Sequence, residues 1–482
     1  MHMRLIFLVL LFHHSHTAFA FTPCRISGFS YAIECTTLVV ESSVSHQSLF
    51  DVRVFKVAAR VRYPLPSPLI WIPSSLSVSP TARAPFMINS LSRIRNKRDL
   101  IWIELTPHAS GLRNHCGWSK PWNSLSFRLD RFAHPEYLAS CQTELKTLGV
   151  LDELTPETLA GYYEAVAKQL NLTKVTIFAE QAGAEIASAW QQQSPGRVLF
   201  QVMDNPSEAR APSSLMAQAV AIDRKLQAID TQCRRSGQCA SDALGLQQAF
   251  SQLRTQLPTL VTVQSPYTFA EESITFTAPF LVYALQQQLN LTEQSQWLPN
   301  VFHQANQGNW LPLYQLIAGQ WTRRLPQVND VFYLAEQCID WQTFTDNTAV
   351  APAHPSFLVN WIYQQLKQRY QTLCQSSPKL MHQPIKHKTQ PPPQLILRGG
   401  LWSVGQNDTP LESTLLLHVP GVEHVFSYGC AKEVIARYVN VVDKQLQTGK
   451  AVSVRQTEIE AECLLNMPLP VKPSLADAIK KK

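Results

Sequence analysis

Between residues 51 and 63 the chain alternates apolar and basic positions. Val52, Val54, Val57, Ala59 and Val61 stand against Arg53, Lys56, Arg60 and Arg62, with one slip near Phe55. A period of two predicts half-buried antiparallel strands there. Pro68-Leu-Ile-Trp-Ile-Pro73 and Asp99-Leu-Ile-Trp-Ile-Glu-Leu105 are short unbroken apolar runs, the pattern of strands buried on both faces. A helix is expected after Thr155, which can cap it, with Glu157 in its first turn. Leu159, Tyr162, Val166 and Leu170 fall on one face of that helix. A strand over 175–178, a helix from Gly183 and a strand over 197–203 follow. Strands alternating with helices imply a parallel sheet covered on both sides.

From Asn205 the pattern changes. Through 371 the chain is rich in Gln, Leu and Ala at helical spacing, as in 243–257, 279–289 and 311–323, and short of strand runs. This reads as an inserted helical cap over 205–378. A Pro-rich, basic connector at 379–393 leads to strand-like 394–397 and 414–419, then to a helix over 431–446 with Val434, Ile435, Tyr438 and Val442 on one face. The expected organisation is a core at 21–204 and 394–482 with the cap between.

Composition narrows the function classes. Hydrophobic residues at 45% and charged residues at 16% suit a globular chain, and 482 residues suffice for a large core and a second module. The net charge of +7 is concentrated in local runs near 93–98, 379–388 and 480–482, with no basic stripe interleaved with aromatics. That argues against nucleic-acid binding. Arg4, the apolar run 5–12 and Ala18-Phe19-Ala20 form a signal-like leader, predicting cleavage after residue 20 and a secreted or periplasmic protein. No later run is long and apolar enough for a transmembrane segment.

The ten cysteines all follow that leader, and an oxidising compartment makes disulfides their expected state. Sequence cannot fix the pairing. Local spacing suggests Cys24–Cys35, Cys116–Cys141, Cys233–Cys239, Cys338–Cys374 and Cys430–Cys463. His382 and His387 have a zinc-like spacing but no cysteine pair beside them, so no metal and no cofactor is expected.

The chemistry centres on Ala179-Glu180-Gln181-Ala182-Gly183. A buried strand, a tight turn of small residues and a helix make the frame of a nucleophile elbow, in which G-x-S-x-G places a serine on the turn. Here that position holds Gln181. An amide has no acidic proton to lose and no comparable attacking lone pair.

The order of elements resembles the secreted α/β-hydrolase-fold peptidases of the tripeptidyl and prolyl aminopeptidase type, over nearly the whole mature chain. Cys24 and Cys35-Thr-Thr-Leu-Val-Val resemble the entry into their first strand. Asp99-Leu-Ile-Trp-Ile-Glu-Leu105 resembles the strand before their D-Q-R-G-x-G-x-S loop, and Cys116 and Cys141 sit where such enzymes carry cysteines. Leu154-Thr155 and Leu170-Asn171-Leu172 resemble the approach to the elbow. Val331-Phe-Tyr-Leu-Ala-Glu-Gln-Cys338-Ile-Asp340 resembles the cap segment V-x-C-x-E, Gln394-Leu-Ile-Leu-Arg-Gly-Gly-Leu-Trp402 the strand carrying the triad acid, and Pro420-Gly-Val-Glu-His424 the P-G-x-G-H segment carrying the triad histidine.

The resemblance implies an α/β-hydrolase fold with an inserted helical cap, and roles for particular residues. His424 matches the catalytic base. Gln181 stands at the nucleophile and Trp402 at the acid, with Asp408 and Glu412 close enough in sequence to substitute for it. Pro73-Ser74-Ser75-Leu76-Ser77 replaces a glycine-rich oxyanion loop, and Glu104-Leu105-Thr106-Pro107-His108-Ala109 replaces the D-Q-R-G loop. Asp340 falls where the family's cap acid holds a substrate's free amino group, through charge-assisted hydrogen bonds. The expectation is a catalytically inactive relative of aminopeptidases that binds peptides or serves as a scaffold for a protein partner. The alternative is an active hydrolase that releases N-terminal residues or short peptides through a non-standard site.

Overall fold

The computed structural model describes residues 21–26, 29–107, 116, 124–206, 215–235, 245–265, 268–289, 292–324, 329–345, 355–379, 391–399, 413–419, 422, 424–449 and 452–466. The leader, most of the connector, Cys239, Trp402, Asp408 and Glu412 lie outside them.

Eleven strands are present among the described residues. In chain order they are β1 (Thr22–Cys24), β2 (Ile33–Val39), β3 (Phe50–Val57), β4 (Leu69–Ile72), β5 (Leu100–Pro107), β6 (Val175–Glu180), β7 (Val198–Asp204), β8 (Thr259–Gln264), β9 (Glu271–Phe276), β10 (Gln394–Gly399) and β11 (Thr414–Val419). Nine of them form one sheet in the order β1-β2-β3-β5-β4-β6-β7-β10-β11. Neighbours from β5 to β11 are parallel, whereas β1 and β3 run against the rest. This crossing order, with β4 and β5 exchanged and helices on both sides, is that of the α/β-hydrolase fold.

The unbroken apolar runs are explained by two-sided burial. Ile70, Ile72, Ile101, Ile103, Val175 and Ile177 face one core layer, and their neighbours Leu69, Trp71, Leu100, Trp102 and Phe178 face the other. Thr155 caps the helix Pro156–Gln169 by accepting from the Thr158 N–H.

The alternating pattern at 51–63 ends as a strand at Val57. Beyond it the Ala59 N–H donates to Asp99 Oδ1 at 2.8 Å, and 60–65 runs beside 95–97 instead of extending the sheet. A second difference lies between the helices of the 205–378 segment. There β8 and β9 form a separate antiparallel hairpin. Its two short strands sit inside a Gln- and Leu-rich stretch whose helical period masks them.

The helices of this segment and that hairpin share an apolar core of their own. One helix, Asp330–Thr345, joins the main core instead, through Val331, Phe332, Leu334, Ala335 and Cys338. Disulfides link Cys24–Cys35, Cys116–Cys141, Cys338–Cys374 and Cys430–Cys463. Cys233 is disulfide-bonded as well. No described helix is long and apolar enough to cross a membrane.

Candidate functional site

The site lies at the carboxyl ends of β4, β6 and β7. The chain leaves β6 at Glu180, turns at Gln181 with φ of +43°, and enters the helix Gly183–Gln193. A side chain other than glycine at positive φ is strained, and such positions cluster at functional sites. The Gln181 N–H donates to the Asp204 carbonyl at 2.9 Å, which ties the turn to the end of β7. Gly183 is required by packing, because a Cβ there would stand 2.5 Å from the Pro73 carbonyl oxygen and 2.8 Å from that of Ile72.

Two buried carboxylates lie beneath the turn, Glu180 and Asp204, register partners on adjacent strands. Glu180 accepts from Trp71 Nε1 at 2.7 Å and from Arg83 Nη2 at 2.8 Å. Asp204 Oδ1 accepts from the Phe426 N–H at 3.1 Å, and its Oδ2 is 3.5 Å from His424 Nδ1. Burial pushes the Asp204 carboxyl above the usual range. His424 opposes that shift and the Glu180 charge adds to it.

A cavity of about 640 Å³ opens above these groups, lined by Gln181, His424, the 73–78 loop and residues of the cap. Three carboxylates reach it from two helices: Glu185 from Gly183–Gln193, and Glu336 and Asp340 from Asp330–Thr345. The last two are four residues apart and share a helix face. Asp340 is solvent-exposed and opens onto the cavity. Its proton affinity is raised well above the carboxylate range, first by desolvation and then by Glu185 and Glu336. Glu336 is raised as well, by burial, against the hydrogen bonds it accepts. Those bonds come from the Leu76 N–H at 2.6 Å and from Ser75 Oγ at 2.8 Å. Asn329, at the start of the same helix, donates its N–H to the Ser77 carbonyl at 2.7 Å. A carboxylate from the cap therefore holds a backbone amide of the 73–78 loop.

The arginines in and beside the lining are matched, Arg83 by Glu180 among them. Arg131 meets Asp330, and Arg369 bonds Asp130 at 2.6 Å while lying 3.7 Å over the Tyr283 ring. The Tyr333 hydroxyl donates to that of Tyr283 at 3.1 Å.

Of the residues singled out in the sequence, Gln181, His424 and Asp340 line one cavity. Trp402, Asp408 and Glu412 fall outside the described residues, and the carboxylate facing His424 is Asp204. Sequence reading missed Asp204, which lies one position beyond the strand expected at 197–203. It also passed over Glu336, Glu185 and the Arg83–Glu180 pair. Glu336 carried a visible signal, an acid four residues before Asp340 on a helix. Chemically the site holds an imidazole beside a carboxylate, an amide side chain on the turn after β6, and three carboxylates at one cavity. Among the described residues no group of His, Cys, Asp and Glu is arranged to hold a metal ion.

No family model matches the chain, and no curated protein does. Among solved structures it is similar to a probable hydrolytic enzyme from Pseudomonas aeruginosa, with 13% identity, a TM-score of 0.30, and 89% of this chain and 97% of that one covered. It is similar to a proline iminopeptidase from Mycobacterium smegmatis at 12% identity and a TM-score of 0.33, covering 86% of this chain and 99% of that one. A naproxen esterase from Bacillus subtilis gives 11% identity and a TM-score of 0.29, with 87% and 93% covered. Its own strand order, more than any of these likenesses, makes this chain a protein of the α/β-hydrolase fold.

Proposed function

We propose that the protein is an exported peptide-binding relative of the aminopeptidases that holds the free amino terminus of a peptide in this cavity without cleaving it by serine chemistry. One observation carries the reading. Glu185, Glu336 and Asp340 gather at one cavity, where desolvation, and then the Glu185 and Glu336 charges, raise the proton affinity of Asp340. An ammonium group entering there relieves their repulsion and gains charge-assisted hydrogen bonds. Gln181 at the elbow argues against an acyl-enzyme. Bonded cysteines, with none free among the described residues, fit export to an oxidising compartment. Purified protein incubated with a peptide library and its N-acetylated counterpart, read by mass spectrometry, tests the proposal. Retention of free-amine peptides without cleavage supports it. Equal retention of both sets removes it.

A second reading has one observation in its favour. Asp204 stands beside His424, so a base and an orienting acid are present. In this reading the protein is a hydrolase that releases N-terminal residues or short peptides through a non-standard site. It requires cleavage products in the same experiment and their loss in His424→Ala.

A further inference from the structure

At the opposite end of the sheet from the cavity, the segment after β3 lies along the segment before β5. Val57 and Leu100 are register partners there. The Arg60 and Val61 N–H groups donate to the Arg95 and Asn96 carbonyls at 3.0 and 3.3 Å, and the Leu65 N–H to the Lys97 carbonyl at 2.8 Å. Arg95 Nε returns a bond to the Ala58 carbonyl at 3.0 Å. Five exposed residues, Arg60-Val61-Arg62-Tyr63-Pro64, are thereby held in a fixed course.

The charge there is one-sided. Carboxylates on the neighbouring elements are engaged: Glu34 by Lys56 at 2.6 Å, Glu433 by Arg93 at 3.1 Å, and Asp99 by the Ala59 N–H at 2.8 Å. Arg60, Arg62, Arg95 and Lys97 have no carboxylate ion pair among the described residues. Burial, and then the Arg60 charge, disfavours the charged form of Arg95, so these two guanidiniums act on each other. Between them Tyr63 is 81% exposed and Val61 44% exposed, and the Arg95 guanidinium lies 5.0 Å over the ring of Tyr31.

We propose that this end of the molecule docks on the surface of a bilayer rich in anionic phospholipid, with Arg60, Arg62, Arg95 and Lys97 on the headgroup phosphates and Val61 and Tyr63 at the headgroup level. Cations near such a surface each add to binding. An aromatic with a polar tip suits the interface, and an exposed Val beside it gains only where apolar acyl chains are within reach. A soluble polyanion would use the cations and leave Val61 without a role. Because the patch is at the amino ends of the parallel strands, a docked molecule turns its cavity away from the lipid.

Vesicle flotation tests this with the full mature chain. The probes are phosphatidylcholine vesicles with and without about one-third phosphatidylglycerol, at low and high salt, a mixture that sets charge against neutral surface. The expected result is binding to the anionic vesicles only, weakened by salt. Arg60→Gln/Arg62→Gln should lower the partition about thirtyfold, and Tyr63→Ser should weaken it at every salt concentration. Lys146→Gln/Lys168→Gln, which removes the same charge elsewhere on the surface, should change it little. Equal binding to neutral vesicles, equal loss in the control pair, or no loss in the patch variants overturns the proposal. Tighter binding to soluble heparin than to anionic vesicles overturns it in favour of a polyanionic partner.

Discussion

Asp204 Oδ2 lies 3.5 Å from Nδ1 of His424, although one residue ends β7 and the other follows β11. The carboxyl is fully buried, and its proton affinity is raised in the folded state. A group with a raised folded pKa contributes stability at acidic pH that is lost as pH rises through that folded value. An asparagine in its place would not titrate and would keep the acceptor for the Phe426 N–H. Asp204→Asn should therefore melt above wild type at neutral pH, with the gap closing as pH falls. Thermal melts across a pH series check this. A lower Tm for the variant at neutral pH would mean that attraction to His424 outweighs the burial of the charge.

The elbow makes a paired prediction. Gln181→Gly relieves a left-handed conformation costing about 1–2 kcal/mol, against about 0.5–1 kcal/mol of added chain entropy in the unfolded state. Its urea midpoint should rise slightly or stay level. Gly183→Ala drives a methyl into the backbone oxygens of Pro73 and Ile72 and should lose about 1–3 kcal/mol. Equilibrium unfolding of both variants gives the contrast.

Fluorophosphonate labelling should fail on the natural protein and succeed slowly on Gln181→Ser. The variant would hold a hydroxyl, His424 and Asp204 in one site. Its rate should stay about 10²–10³ below that of a complete site, the cost of one missing oxyanion donor, because the Leu76 amide is engaged by Glu336. Adding Asp204→Asn should cost up to about 10⁴ more. Labelling of a serine in the natural chain, located by peptide sequencing, would place the nucleophile elsewhere.

Peptide binding should depend on pH. Since Asp340 is pushed well above the usual carboxylate range, its charge is lost while pH is still above that range, and affinity should fall with it. At the alkaline end, affinity should fall again as the α-amino group deprotonates near pH 8. Asp340→Asn should weaken free-amine peptides by about tenfold or more, the value of a hydrogen bond to a charged group, and leave N-acetylated peptides unchanged. Calorimetry in buffers of different ionisation enthalpy would also reveal proton release on binding where Asp340 is protonated in the free protein.

Much of the sheet could be read from the sequence because burial on both faces writes itself as unbroken apolar runs, as at 68–73 and 99–105. The elbow was legible for a similar reason, since a Gly at 183 and small neighbours are demanded by close backbone approach. Asp204 was not, because nothing local to a strand end says which distant histidine it will meet. The β8–β9 hairpin escaped because its six-residue strands lie between helical repeats of Gln and Leu. Glu336 was within reach, but its contact with Ser75 and Leu76 joins two segments whose proximity depends on how the Asp330–Thr345 helix seats against the sheet.

The bond from the Leu76 amide to Glu336 makes two kinds of ligand interdependent. A carboxylate drawn toward an incoming cation loosens its hold on the loop, and an anion that takes the loop amide releases the carboxylate toward the cation. By reciprocity each ligand must raise the affinity for the other by the same factor. If the cavity takes ligands as proposed, it should favour molecules that bring both charges at once over those that bring either alone.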